Sequence, residues 1–271
     1  MDLKLRGSFG YWLLRRLSKI PKESAAAEQT ANNLPSGDAK IERFFGPQVW
    51  SWFSGKVVAD LGCGTGVEAV AIASRGASQV CGIDVNDRFL AAARALAQEK
   101  GVGGRCTFLH AQKQRAEIEA LGNKVDCVFS LDAFEHVPAP DRILAEIHAL
   151  LRPGGRLFVS FGPPWKHPYG AHMNFFIPMP WVHFVFQEET ILAVRALYRN
   201  DGAKKFEQVE GGLNRMTVAR FYDLISSAGY QIETFRAVPI RGWSWLVRNR
   251  YLREYFTSVV QCVARKPVGP V

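Results

Sequence analysis

The chain has 271 residues, 48% of them hydrophobic and 22% charged, enough for a single substantial core and too little for two comfortable ones. Its formal charge of +9 sits at the ends: residues 1–22 hold six Lys or Arg against one acid, residues 236–266 hold seven against one, and the remainder is slightly acidic. No run approaches the roughly 20 apolar residues of a membrane-spanning helix, and charges occupy the place of a secretory apolar region, so a cytoplasmic protein is expected.

From Leu3 to Ile20 the apolar residues Leu5, Phe9, Trp12, Leu13, Leu17 and Ile20 recur at helical spacing, with Lys4, Arg15 and Lys19 directed elsewhere and Pro21 as the stop. Residues 22–38 are small and polar, which predicts a linker or lid hinge before an aromatic helix near Ile41–Phe53. Residues 1–54 therefore form an N-terminal lid segment, and the main domain, 55–271, begins near Gly55. Short apolar runs at 56–61, 79–84, 105–109, 124–130 and 155–161 alternate with helix-like segments. That rhythm predicts successive βαβ units: a doubly wound α/β fold with a mostly parallel sheet, helices on both faces, and ligands gathered outside the carboxyl ends of the strands. After Phe161 the rhythm breaks into an insertion rich in Pro, His and aromatics, about 162–216, of the kind that makes a lid or substrate pocket. A helix at Thr217–Ala228 and strands at Tyr230–Val238 and Tyr255–Ala264 complete the chain. The five cysteines, Cys63, Cys81, Cys106, Cys127 and Cys262, include no C-x-x-C pair and read as reduced thiols, four of them in or beside strand-like runs.

The most informative stretch is Val57–Gly66, a buried strand ending in Asp60, then Gly62, Cys63, Gly64 and Gly66 leading into a helix. Glycines at alternate positions permit a tight turn and let a ligand approach the backbone without meeting a Cβ. Dinucleotide-binding enzymes use a related G-x-G-x-x-G, but the spacing here is G-x-G-x-G with an acid directly upstream. Asp60 would repel a pyrophosphate yet attract an ammonium, while the helix N-terminus faces a carboxylate, which favours an amino-acid-bearing nucleotide over NAD. About twenty residues on, Val80–Asp84 ends in the acid from which a carboxylate can accept hydrogen bonds from both ribose hydroxyls.

Taken in order, D-L-G-C-G-T-G, G-I-D, D-C-V-F-S-L-D-A-F-E-H-V and L-L-R-P-G-G-R-L-F-V-S resemble the motifs of class I, Rossmann-like S-adenosylmethionine-dependent methyltransferases, over roughly residues 55–161. The resemblance implies a seven-stranded sheet with one antiparallel strand, the last two strands coming from Tyr230–Val238 and Tyr255–Ala264. It implies S-adenosyl-L-methionine as cofactor and S-adenosyl-L-homocysteine as product, with Asp60, Gly62, Cys63, Gly64, Gly66, Asp84, Val85 and Leu131 in the binding set and Val85 against the adenine. Many members carry an acid after the third strand to meet the adenine amino group. Here the sequence is Phe108–Gln112, so the Gln112 side-chain carbonyl is the candidate acceptor.

Methyl transfer is an in-line displacement, so alignment in a water-poor site matters most and a dedicated base is optional. In the proteins this chain resembles, the loop Ser130–His136 lies beside the methyl donor, placing Asp132, Glu135 and His136 near the reaction. His136 is either a base for a hydroxyl or amine or a capping histidine beside Pro138. In the Pro- and Gly-dense loop Gly162–Asn174, His167 and His172 are candidate catalytic residues, as substrate contacts or a base, with plain loop structure as the alternative; with His183 they lack metal-ligand spacing, and no metal is expected. The aromatic run 175–186 walls an apolar or aromatic substrate cavity, packs the lid, or makes a dimer contact. The expected acceptor is a small molecule methylated on oxygen or nitrogen, lipid-like and glycan-linked ones included. The basic ends, including Arg241–Tyr251 with its interleaved aromatics, suit an anionic membrane surface, an anionic substrate, or plain solvation. An RNA methyltransferase, a non-catalytic binding protein and a nicotinamide-dependent oxidoreductase remain as alternatives. Against nucleic acid, the fourth-strand loop lacks an N-P-P-Y-like or P-C pair and no RNA-binding module is recognisable.

Overall fold

In the computed structural model, which describes residues 4–19, 37–174, 176–209 and 211–269, seven strands form one twisted sheet. They are β1 (Val57–Leu61), β2 (Gln79–Asp84), β3 (Cys106–His110), β4 (Val125–Leu131), β5 (Leu151–Phe161), β6 (Gln231–Pro239) and β7 (Thr257–Arg265), in the order β3-β2-β1-β4-β5-β7-β6. The pairs among β1 to β5 are parallel, whereas β7 runs antiparallel to both β5 and β6. The doubly wound, mostly parallel fold expected from the alternating runs is borne out, with its single reversed strand. Because the order reverses between β1 and β4, the loops after these two strands diverge and leave a crevice at their carboxyl ends.

Strand residues alternate between two cores, as a pleat requires. On one face α2 (Asp38–Phe45), α3 (Val49–Phe53), α4 (Val67–Ser74) and α5 (Asp87–Glu99) cover Val58, Val80, Phe108, Phe129 and Phe158. Phe53 stands edge-on to Phe158 at 5.2 Å, and Phe45 meets the same ring at 5.5 Å. The aromatic helix near Ile41–Phe53 thus closes the sheet over β4 and β5. On the other face α7 (Pro140–Leu150) and α10 (Val218–Ser227) cover Ala59, Val128, Leu157 and Val159, with Phe221 packed on Phe161 at 4.9 Å and Phe134 at 5.1 Å. A short helix, α6 (Arg115–Glu119), follows β3 and sends Ile118 to the same layer.

The insertion builds a third core of its own from Met173, Ile177, Phe186, Leu192, Phe206 and neighbours, around α8 (Val182–Val185) and α9 (Glu188–Arg195). Leu14 of α1 (Gly7–Leu17) belongs to this third core, and the Leu5 main chain pairs with Val185 and Gln187. The N-terminal 54 residues are therefore divided: α1 docks on the insertion, while α2 and α3 lie on the sheet. The α1 stripe is also turned around. Gly10 and Leu14 are buried and Leu5 and Leu13 pack against the third core, but Phe9, Trp12 and Leu17 are 62%, 56% and 45% exposed, so half of the six apolar positions read from the sequence look outward. Leu3, Ile20, Pro21, nearly all of the expected linker, and Phe175 of the aromatic run lie outside the described residues. Cys63, Cys81, Cys127 and Cys262 are free and buried, and Cys106 is free and half-buried. Among the described residues no helix is long and apolar enough to cross a membrane.

Candidate active site

The turn after β1 needs its glycines for three separate reasons. Gly62, Gly64 and Gly66 all adopt positive φ, at 75°, 51° and 77°. A Cβ on Gly62 would lie 2.7 Å from that of Ala133, and one on Gly66 2.6 Å from that of Ala93, so these two glycines permit close packing. A Cβ on Gly64 would meet nothing within 4 Å. That glycine therefore faces open space, as a backbone cradle for a ligand requires.

Asp84 closes β2 directly opposite. Its Oδ2 accepts the Gly64 N–H at 2.9 Å and its Oδ1 accepts the Asn86 N–H at 2.9 Å. Both oxygens are thereby oriented while each keeps a lone pair for a further donor. The next residue, Val85, is 63% exposed, an apolar shelf beside the carboxylate. Cys63 turns its side chain into the core, where burial pushes the thiol far above its ordinary pKa, so only its main chain faces the turn. Leu131 ends β4 with its side chain buried.

Three carboxyl groups, Asp60, Glu68 and Asp132, surround one ammonium at this end of the sheet. Asp60 is 3% exposed and its Oδ2 lacks a hydrogen-bond partner. Burial, and then repulsion from Glu68, push its pKa up to about 8. Lys40, on α2, reaches in to place Nζ 3.0 Å from Asp132 Oδ2 and 3.6 Å from Glu68 Oε1. Burial alone would lower the lysine's pKa, but Asp132 and Glu68 outweigh it and hold it above its ordinary value. The charge pattern thus already favours a cation. Sequence reasoning missed Lys40 and Glu68, because the pattern of α2 and α4 advertises only their apolar faces.

The loop after β4 is locked to the one after β5. Asp132 takes a left-handed φ of 50°, tolerable for Asp, and its N–H donates to Ser160 at 2.9 Å. Glu135 is buried, its Oε1 accepting the Gly162 N–H at 3.1 Å while Oε2 is unpartnered. Burial pushes its carboxyl up to about 8, so it is mostly neutral at pH 7 and ties the two loops as an acid. This contact brings His136 and His172 together, rings at right angles with centroids 5.5 Å apart. His136 Nδ1 donates to the Gly212 carbonyl at 2.6 Å, leaving Nε2 as the acceptor nitrogen. His172 Nε2 donates to the Pro163 carbonyl at 3.1 Å, and burial pushes its pKa down to about 4.

The other expected residues fall elsewhere. His167 is buried with Nδ1 accepting the Tyr169 N–H at 3.0 Å, and His183 is buried against Trp165, centroids 4.6 Å apart. Burial lowers both to about 4. Gln112 is exposed and its N–H donates to Nδ1 of buried His110, the strand neighbour of Asp84. Among the described residues no group of three or more His, Cys, Asp or Glu could hold a metal.

Comparison with known proteins meets this geometry. A family model described as a methyltransferase domain matches residues 58–155, from β1 into β5. Over residues 58–155 the chain therefore carries a methyltransferase domain. A ubiquinone biosynthesis O-methyltransferase of Pseudomonas paraeruginosa is 39% identical over 107 residues, 40% of this chain and 44% of that protein. The match thus spans less than half the length of that relative. Among solved structures, an S-adenosylmethionine-dependent methyltransferase from Mesorhizobium loti superposes with a TM-score of 0.53 at 20% identity, over 82% of this chain and 97% of its own. The [4+2]-cyclase SpnF superposes with a TM-score of 0.55 at 20% identity, over 85% and 82%. Both likenesses establish the fold of the methyltransferase domain well beyond the matched motifs, and the second shows that this fold also serves other chemistry.

The domain's residues fit S-adenosylmethionine. The open side of Gly64 offers room for its backbone, Asp84 offers aligned acceptors for a ribose, Val85 offers an apolar shelf for a purine, and Asp60 offers an unpartnered buried oxygen to an ammonium.

Proposed function

We propose that this protein transfers a methyl group from S-adenosylmethionine to a hydroxyl oxygen of a small, largely apolar acceptor. When bound, the cofactor supplies an electrophilic methyl group on sulfur. Asp84 holds the ribose, Val85 the adenine, and the Gly62–Gly66 turn the amino-acid portion, with Asp60 receiving its ammonium. Gln112, exposed just past β3, is the candidate partner of the adenine amino group. Leu131 contributes its main chain where β4 meets the crevice.

The single observation that carries this reading is the pairing of Asp84 with the Gly64 N–H across a turn whose Cβ direction is empty. Oxygen as the acceptor atom is supported by the name of the Pseudomonas relative. The insertion supplies an apolar neighbour, since Ala171 and Met173 flank His172 and belong to the third core.

His136 is the better of the two bases. Its Nδ1 is anchored on the Gly212 carbonyl, so Nε2 carries the lone pair that can take an acceptor's hydroxyl proton. His172, lowered to about 4 by burial, binds protons too weakly at neutral pH and instead packs edge-on against His136. His167, held by Tyr169 N–H, shapes the loop.

The test is turnover of purified protein with labelled S-adenosylmethionine and a panel of phenols, aliphatic alcohols and lipid-linked acceptors. His136→Asn is expected to lower turnover on the order of 100-fold, the usual worth of a general base, with affinity for S-adenosylhomocysteine unchanged. Tight binding of S-adenosylhomocysteine with no methylated product from any acceptor would overturn the catalytic reading and leave a binding protein.

A further inference from the structure

We propose that α1, together with the segment 241–251, forms a docking face for an anionic membrane surface. The inference does not depend on which acceptor is methylated.

The helix exposes what a soluble helix normally hides. Phe9 and Trp12 lie side by side on its outer face, ring centroids 6.3 Å apart, and Leu17 is exposed at the helix C-terminus. Docking on the insertion occupies the side that carries Gly10, Tyr11, Leu13 and Leu14 and leaves Phe9 and Trp12 exposed. The exposed residues are interleaved with Arg6, Arg15 and Arg16, and the helix contains no acid. Among the described residues none of these three arginines forms an ion pair; Arg16 instead lies 6.0 Å from the Trp12 ring centre.

The second segment repeats the composition. Trp243, Trp245 and Tyr251 are 45%, 67% and 71% exposed, and Arg241, Arg248 and Arg250 are exposed beside them. Its nearest acid, Glu254 in the short helix α11 (Arg253–Phe256), is turned inward, where its carboxylate accepts the Val218 and Ala219 N–H groups at the start of α10. Its outward charge is therefore wholly positive. Contacts join the two segments through α8: the Leu5 N–H donates to Val185 at 2.8 Å, Phe184 meets Tyr255, and Trp243 packs on Phe256 at 4.9 Å.

Charge complementarity selects the occupant. Aromatic rings and a leucine beside unpaired guanidinium groups match a boundary where anionic headgroups meet acyl chains. Nucleic acid would use the arginines and rings but gives Leu17 nothing to stack on. A second copy of this chain would bring the same positive charges face to face.

The experiment is flotation of the full chain with vesicles of phosphatidylglycerol and phosphatidylcholine, against phosphatidylcholine alone. The parent protein is expected to float with the anionic vesicles only. Arg15→Gln with Arg16→Gln should weaken binding on the order of 30-fold, about fivefold for each charge near the surface. Phe9→Ser with Trp12→Ser should abolish binding in high salt. Both pairs are exposed, so circular dichroism and Tm should match the parent. Equal binding to neutral and anionic vesicles, unchanged binding by both variants, or preference for single-stranded RNA over vesicles would overturn the proposal. So would a dimer in sedimentation that Trp12→Ser dissolves.

Discussion

Binding of S-adenosylhomocysteine at pH 7 should release close to one proton, and Asp60 should be its source. In the free protein burial and Glu68 hold the Asp60 carboxyl at about 8, so at pH 7 it is about nine-tenths protonated. A ligand ammonium against the unpartnered Oδ2 favours the ionised form and expels that proton. The sign follows: affinity should rise with pH while the free carboxyl still carries its proton, by about 50-fold between pH 6 and pH 8, and level off above. Calorimetry in two buffers of different ionisation enthalpy reads the proton count directly, about 0.9 for the parent protein and near zero for Asp60→Asn. Equal proton release by the two proteins, or none by either with tight binding, would show that the ammonium lies elsewhere and that Asp60 is buried for structural reasons alone.

Further outcomes follow from the same geometry. Asp84→Ala removes the acceptors aligned by Gly64 and Asn86, and affinity for S-adenosylhomocysteine should fall by about 1–3 kcal/mol in calorimetry. Gly66→Ala forces a Cβ onto Ala93 at a positive φ, which should lower Tm by several degrees, whereas Gly104→Ala, with nothing within 4 Å, should leave it nearly unchanged. Glu135 is raised to about 8 in the folded protein, so its contribution to stability is fully present below its unfolded pKa of about 4.5 and is lost as pH rises through about 8. Glu135→Gln keeps an acceptor for the Gly162 N–H and should flatten the denaturant midpoint between pH 5 and 8, while a slope equal to the parent's would refute the buried neutral acid.

The legible parts of this protein were those encoded within a few neighbours in the chain. Alternation of short apolar runs with helical segments predicts a parallel sheet, because a buried strand and its crossover helix each carry their own period. The turn from Asp60 to Gly66 is readable because repeated positive φ at alternate positions strongly favours glycine, and Asp84 because it ends the next strand about twenty residues on. Other features had no local signature. Lys40 enters the site from a helix whose pattern shows only Ile41, Phe45 and their packing, and it is placed by Asp132 and Glu68, far along the chain. His136 and His172 were both readable as candidates, but their contact depends on Glu135 clamping Gly162, a bond between loops after different strands.

For α1 the sequence alone determined a helix and its apolar positions, since spacing of 3.6 residues is a local property. Which side of it is buried was decided by the tertiary structure: the insertion offers its core to Leu14, and burying Phe9 and Trp12 as well would require a second apolar surface that the described residues do not provide. Periodicity states that a face exists, and only the arrangement of distant segments settles what that face meets.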